Sequence, residues 1–343
     1  MRLARDQPSA GKGVFMKQLR EKGLTVDSVA RSLGISKTTV SRALSGKGRV
    51  SEETKRRVRS FINQDRDANS GRQPAHTLTV VIPPRFIEMD LPFVHACIYG
   101  IGLAAKQRDY DVLLCSADER DLTQLERQLE QNKPDGVILF RTINKKDPCL
   151  ELTCRYNKPC VVLGRLADDK VLQVDSDNFG AAREMTQLLL RMGMRRISYL
   201  YDDSNATINA DRLDGFTQAL KEAGIPVDQS MIYSDLMTET QRVDALEFVM
   251  RQQPDCILCC DDRLALYIYE IMRQKGILCP RQIRLASLYD SQFLQWAGIT
   301  AVQFDSGALG ASACRVLLDS IADKPVVPRQ VQQYQIILRE STK

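Results

Sequence analysis

The side chains able to do chemistry here include ten cysteines, two histidines, the adjacent aspartates Asp261 and Asp262 and a large set of arginines and lysines. Cys256, Cys259 and Cys260 are the densest cysteine cluster. Zinc wants spaced Cys/His pairs, however, and these three sit in an apolar run, Pro-Asp-Cys-Ile-Leu-Cys-Cys, that reads as a buried strand. The cysteines are therefore expected to be small buried hydrophobes kept reduced, with no metal and no cofactor. His76 and His95 are the only histidines, and His76 lies in a polar stretch, so no nucleophile–His–acid set can be assembled. Asp261 and Asp262 would point to opposite sides of an extended segment, which disfavours a paired acid/base role. Tyr99-Gly-Ile-Gly-Leu-Ala-Ala105 grazes a dinucleotide fingerprint, but inside a helical pattern instead of at a strand-to-helix turn. An enzyme is not expected. What remains is the binding chemistry of the basic side chains.

Those side chains are unevenly placed. Residues 1–63 hold 15 Lys and Arg against 5 Asp and Glu, a net of +10, so the chain's +5 leaves −5 for residues 64–343. A compact basic head on an acidic body is the asymmetry of a nucleic-acid-binding module joined to something else. Within the head, Val26, Val29, Ala30 and Leu33 repeat at helical spacing, Gly34 breaks the helix, and Ser36 restarts one whose apolar face is Val40, Ala43 and Leu44. Ala30 is small where two crossing helices must touch. This is the pattern of a helix-turn-helix, whose second helix enters the DNA major groove. Ser51-Glu-Glu-Thr54 caps a third helix charged by Lys55, Arg56, Arg57 and Arg59, with Val58, Phe61 and Ile62 facing the core.

From Leu78 onward, apolar strands alternate with helices of 10–15 residues: TLTVVI, DVLLC, DGVILF and CVVLG, then RISYLY, DCILCC and RLASLY. Two such sets predict two βαβ lobes with parallel sheets. Ligands of these folds bind at the carboxyl ends of strands, here in the cleft between lobes. Arg85, Arg141 and Arg165 each follow a first-lobe strand, and Arg212 faces them from the second. Either they point to solvent or pair with aspartates such as Asp168 and Asp169, or they serve an anionic effector. No apolar run reaches membrane-spanning length, and no apolar stretch follows the basic residues of the N-terminus, so a cytoplasmic protein is expected.

Thr25-Val-Asp-Ser-Val-Ala30, Ser36-Lys-Thr-Thr-Val-Ser-Arg-Ala-Leu44 and Val50-Ser51 resemble the head of the lactose/galactose repressor (LacI/GalR) family. Through the body the likeness continues in Leu91-Pro-Phe93, Val174-Asp-Ser-Asp-Asn178, Arg212-Leu-Asp-Gly-Phe216, Asp261-Asp262 and Leu338-Arg-Glu-Ser-Thr342. It implies an all-α helix-turn-helix domain and a periplasmic-binding-protein-like α/β core of two parallel-sheet lobes. It implies that Lys37, Thr38 and Arg42 reach base edges while Ser36, Thr39 and Ser41 hold phosphates, with Thr25 and Arg57 completing the DNA-binding set. Arg42 and Lys37 can donate to guanine O6/N7, and Thr38 can offer a hydroxyl or touch a thymine methyl. It implies an effector cleft lined by Phe93, Arg165, Arg212, Asp261, Tyr289 and Asp290, to which Arg141 and Phe304 are added from their strand ends. Guanidinium, carboxylates and flat rings together suit a sugar or sugar derivative.

The expected organisation is an extension over 1–22, a DNA-binding domain over 23–63, a polar linker over 64–76 and an effector core over 77–343. Lobe 1 is placed at about 77–175 plus 305–325, and lobe 2 at about 176–304 plus 326–343. The linker departs from the family, since Asp67, Asn69 and Ser70 stand where its hinge helix would begin. A ligand-responsive repressor acting as a homodimer on a pseudo-palindromic operator is expected, because one head makes few base contacts. A transporter's solute-binding protein shares the core fold, but would need an export signal and no basic head.

Overall fold

The computed structural model describes residues 25–45, 50, 51, 54, 55, 57, 58, 76–84, 91–140, 147–166 and 170–343. The chain divides after Ala75 into two compact units. The expectations for residues 1–22, for Arg56, Arg59, Phe61 and Ile62, and for the linker up to Ala75 lie outside the described residues.

In the first unit, helix α1 (Val26–Leu33) starts at Thr25. The Thr25 hydroxyl accepts from the Ser28 amide (3.0 Å), and the Ser28 hydroxyl accepts from the Thr25 amide (2.9 Å). This reciprocal cap satisfies two donors that helix geometry leaves without partners. Gly34 ends the helix at φ 65°, a left-handed conformation that suits glycine. Helix α2 (Lys37–Ser45) opens from Ser36, whose Oγ accepts from the Thr39 amide at 3.1 Å. Val29, Ala30, Val40, Ala43 and Leu44 pack together with Val58, which lies in a further helical segment with Thr54, Lys55 and Arg57.

The second unit has two lobes. The first contains β1 (Thr77–Ile82), α3 (Leu91–Lys106), β2 (Asp111–Ser116), α4 (Thr123–Glu130), β3 (Gly136–Phe140), α5 (Pro148–Arg155), β4 (Cys160–Leu163) and β5 (Leu172–Ser176). The second contains α6 (Asn178–Arg191), β6 (Ile197–Leu200), α7 (Thr207–Glu222), β7 (Ile232–Tyr233), α8 (Glu239–Arg251), β8 (Cys256–Cys259), α9 (Asp262–Gln274), β9 (Arg284–Ser287), α10 (Gln292–Trp296) and β10 (Thr300–Phe304). The chain then returns to lobe 1 with α11 (Ser306–Ile321) and β11 (Arg329–Gln332), and ends in lobe 2 with β12 (Tyr334–Ile337).

One sheet has the order β11-β5-β4-β3-β1-β2 and is parallel throughout. The other has the order β12-β10-β9-β8-β6-β7, with β12 alone antiparallel to its neighbour. Helices cover both faces, which is why β3 and β8 read as unbroken apolar runs. Two boundaries differ from expectation. Residues 329–332 pair with Gln173–Ser176 in lobe 1, so the last exchange between lobes falls at Gln333. His76, assigned to the linker, instead stacks on Tyr110 at 5.0 Å and opens the core.

Helix α11 seats against α3 at van der Waals distance. A Cβ at Gly100 would overlap the Gly307 carbonyl, and one at Gly310 would overlap the Cys97 carbonyl. That approach lets Leu309, Ala313 and Leu317 meet Cys97, Ile101 and Ala104 in one apolar cluster. The dinucleotide-like Tyr99–Ala105 stretch therefore lies within α3, with Gly100 serving helix packing.

Candidate functional site

A cavity of about 190 Å³ lies between the two lobes of the core, at the carboxyl ends of their strands. Phe140 ends β3, Arg165 follows β4, Asp175 and Ser176 end β5, Asp202 follows β6, Asp261 follows β8, Tyr289 follows β9 and Phe304 ends β10. Parallel topology alone thus gathers side chains separated by more than a hundred residues.

One wall is aromatic. Tyr289 stacks on Phe304 (6.1 Å, 19°), and Phe93 from α3 meets Tyr289 edge-on (6.4 Å, 77°) and Phe140 edge-on (6.1 Å, 78°). The Tyr289 hydroxyl lies 2.9 Å from Ser306 Oγ, so this wall is pinned to both lobes.

Beside it lies a polar set that centres on Arg212, only 3% exposed on α7. Its Nε donates to Asn178 Oδ1 at 3.1 Å and its Nη1 to the Cys260 carbonyl at 2.6 Å, while Cζ stands 5.9 Å from the Phe304 ring centre. Nη2 makes no hydrogen bond to a described residue. Asp202 accepts from Asn209 Nδ2 (2.9 Å) and lies 3.7 Å from Arg263. Asp261 caps α9 by accepting the Leu264 amide at 2.8 Å. Burial, reinforced by the Asp202 charge, holds the Asp261 carboxyl above its usual range. Asp261 keeps an extended backbone as the cap of α9 and Asp262 is the first residue of that helix; both residues line the cavity. The Cys260 thiol lies against Asp202 (3.7 Å) and Asp261 (3.5 Å). Burial pushes that thiol well above its ordinary value, which makes it a hydrogen-bond donor there.

Arg165, from lobe 1, forms an ion pair with Asp211 on α7 of lobe 2. Of the four arginines singled out in the sequence, Arg165 is matched by a carboxylate and Arg212 makes two hydrogen bonds. Arg85, Arg141, Asp168 and Asp169 lie outside the described residues. Asp290 is also placed differently from expectation. The chain turns after β9, so Tyr289 faces the cavity while Asp290 receives both guanidinium nitrogens of Arg339, at 2.8 and 2.6 Å. Sequence reasoning did not single out Asp175, Asn178, Asp202, Asn209, Asp211 or Arg263, all of which line the cavity or hold its walls.

Asp175 supplies a pH-dependent prediction. Burial, aided by Asp211, raises its pKa to about 6 against the Ser176 amide, Arg329 and Arg212. The folded protein thus binds a proton between about pH 4 and 6 that the unfolded chain has released, so this group's contribution to stability falls as pH rises through that window. Asp175→Asn should melt close to wild type at pH 4 and above it at pH 7, by up to about 2–3 kcal/mol. A melting difference that does not change with pH would show that Asp175 stays ionised.

On the first unit, Thr38 and Arg42 are exposed along one side of α2, opposite Val40, Ala43 and Leu44. Lys37 pairs with Asp27 at 2.8 Å, and Asp27 also receives Arg31 at 2.9 Å; these cations hold its carboxyl below the usual range. Ser36 and Thr39 share a 2.8 Å hydrogen bond, Ser41 is half-buried, and Arg57 Nη2 reaches the Leu33 carbonyl at 3.5 Å. No helix among the described residues is long and apolar enough to cross a membrane.

Comparison with known proteins bears on both units. Residues 25–65 match the family described as "Bacterial regulatory proteins, lacI family", and residues 75–334 match "Periplasmic binding proteins and sugar binding domain of LacI family". The transcriptional regulator CelR of Thermobifida fusca is 26% identical over 341 residues, covering 94% of this chain and 99% of that protein. The regulator MalR of Streptococcus pneumoniae is 27% identical over 333 residues, covering 92% and 99%. A solved "transcriptional regulator CelR-cellobiose complex" superposes with a TM-score of 0.71 at 26% identity, covering 92% of this chain and 99% of that one.

Proposed function

The chain belongs to the LacI family of bacterial regulatory proteins, and we propose on that basis that it is a transcriptional repressor whose operator affinity is set by a neutral carbohydrate bound between its lobes. The observation that carries this reading is the pairing of a buried Arg212, fixed by Asn178 and the Cys260 carbonyl, with an aromatic wall of Phe93, Tyr289 and Phe304. Guanidinium and carboxylates bond hydroxyls at ring edges, and flat side chains cover the C–H faces of a sugar. A relative solved as a CelR–cellobiose complex agrees with that chemistry. The anionic alternative loses support, because Arg165 is matched by Asp211 while Asp175, Asp202, Asp203, Asp261 and Asp262 all line the cavity.

A thermal-shift panel of neutral mono- and disaccharides beside their phosphates tests this. A ligand at a hundred times its Kd adds about 2.7 kcal/mol of apparent stability. Stabilisation by neutral sugars is the expected result. Stabilisation by phosphates alone would reverse the charge assignment.

Homodimerisation and a pseudo-palindromic operator are part of the same proposal, since α2 offers few base-reading side chains per head. Arg42, exposed on α2, is assigned to a guanine edge. Arg42→Ala should cost about 1–3 kcal/mol on the cognate operator and relax preference at one position per half-site, whereas Arg57→Ala should weaken all sequences alike. Selection from a randomised half-site checks both: an unchanged base preference in Arg42→Ala removes it as the reader.

A further inference from the structure

Seven of the ten cysteines are buried, as their apolar surroundings led one to expect, but Cys154 is exposed and Cys160 and Cys279 are only partly covered. Cys154 and Cys160 are also neighbours. Cys154 lies in the last turn of α5, and Cys160 is the first residue of β4. Between them the chain reverses tightly. The Asn157 amide donates to the Cys154 carbonyl (3.0 Å), the Lys158 amide donates to the Thr153 carbonyl (3.2 Å), and Asn157 takes a left-handed φ of 54°. The reversal brings the Cys160 thiol to hydrogen-bonding contact with that of Cys154.

The two thiols are not equivalent. The contact with Cys154 and partial burial push the Cys160 thiol up, whereas Cys154 is exposed. The exposed thiol is the one that a soluble oxidant meets first, and its thiolate is the attacking species in thiol–disulfide exchange.

We propose that Cys154 and Cys160 are a reversible redox pair, Cys154 attacking and Cys160 resolving, with a low-molecular-weight disulfide as the oxidant. The Cys154 thiolate attacks one sulfur of the oxidant, forming a mixed disulfide and expelling one thiolate. Cys160 then gives up its proton and attacks Cys154 Sγ, breaking the mixed disulfide and expelling the second small thiolate. In balance, two protein thiols and one small disulfide give one protein disulfide and two small thiols. The bridge would form at the amino end of β4, whose carboxyl end leads directly into Gly164 and the Arg165 that pairs with Asp211 across the cleft.

The test uses the whole native chain, reduced and then exposed to glutathione disulfide under non-denaturing conditions. Intact mass should fall by about 2 Da and recover on adding reductant. Trypsin cleaves after Arg155, so the two cysteines should appear on separate peptides joined by the bridge, with fragmentation placing it on Cys154 and not on Cys149. Cys160→Ser should instead retain a glutathione adduct of roughly 300 Da on Cys154, and Cys154→Ser should give neither product. A stable adduct on the wild-type protein, a bridge between other cysteines, or no reaction at Cys154 would each overturn the proposal. The wild-type mass and peptide map decide it even if a variant folds poorly.

Discussion

Replacing Arg212 with alanine should weaken effector binding by at least about 100-fold and yield a repressor that no longer leaves its operator. The guanidinium is almost wholly buried, and two of its nitrogens already bond Asn178 and the Cys260 carbonyl. It therefore needs little reorganisation to meet a ligand through its remaining Nη2. Hydrogen bonds to charged groups contribute about 1.5–3 kcal/mol each, and two to a ligand would be about 3–6 kcal/mol, or two to four decades in Kd. Arg212→Lys should recover little of this, because a point charge cannot bond Asn178, Cys260 and a sugar at once. Calorimetric titration of the stabilising sugar, with operator binding measured with and without it, reads the effect. A variant that binds operator and still releases it at the wild-type sugar concentration would place the effector elsewhere.

The second large effect is on stability. Asp290 and Arg339 form a two-pronged ion pair whose side chains are 2% and 14% exposed, and Arg339 Nη1 also donates to the Ile299 carbonyl. Asp290→Ala would leave a buried guanidinium without its counter-charge, at about 3–5 kcal/mol. At roughly 2–4 °C per kcal/mol for a domain of this size, the melting temperature should drop by about 10 °C. Adding Arg339→Met to Asp290→Ala should restore most of the loss, since the uncompensated charge goes with it. The effector's affinity for the folded fraction should stay near wild type. If Asp290→Ala melts normally yet no longer binds sugar, the residue belongs to the cavity after all.

The contrast between these two residues shows what sequence alone can convey. Arg212 and Asp290 both carry the family pattern, yet only one faces the cavity. The difference rests on a turn after β9 and on a partner, Arg339, 49 residues away. The same holds for Arg165, whose position at a strand end was legible while its neutralisation by Asp211 depends on how the lobes close. Strands such as Gly136–Phe140 and Cys256–Cys259 were legible because burial on both faces demands unbroken apolar runs. Strand β5 was not, because two of its five residues, Gln173 and Asp175, are polar and buried, Gln173 to bond the Leu166 amide at 2.8 Å. The edge strand β11, Arg-Gln-Val-Gln, carries no apolar run at all, which hid the final exchange between lobes.

That threading also sets an order of events during synthesis. Lobe 1 is begun by residues 76–176 but receives α11 only from residues 306–321, after all of lobe 2's helices have been made. Until then Cys97, Ile101 and Ala104 on α3 lack the helix that Gly100, Gly307 and Gly310 let settle against them. About 130 residues separate Ser176 from Ser306; at roughly 5–20 residues per second, the ribosome needs on the order of ten seconds to cover them. Throughout that interval the nascent chain presents an uncovered apolar helix face, a natural place for a chaperone to sit.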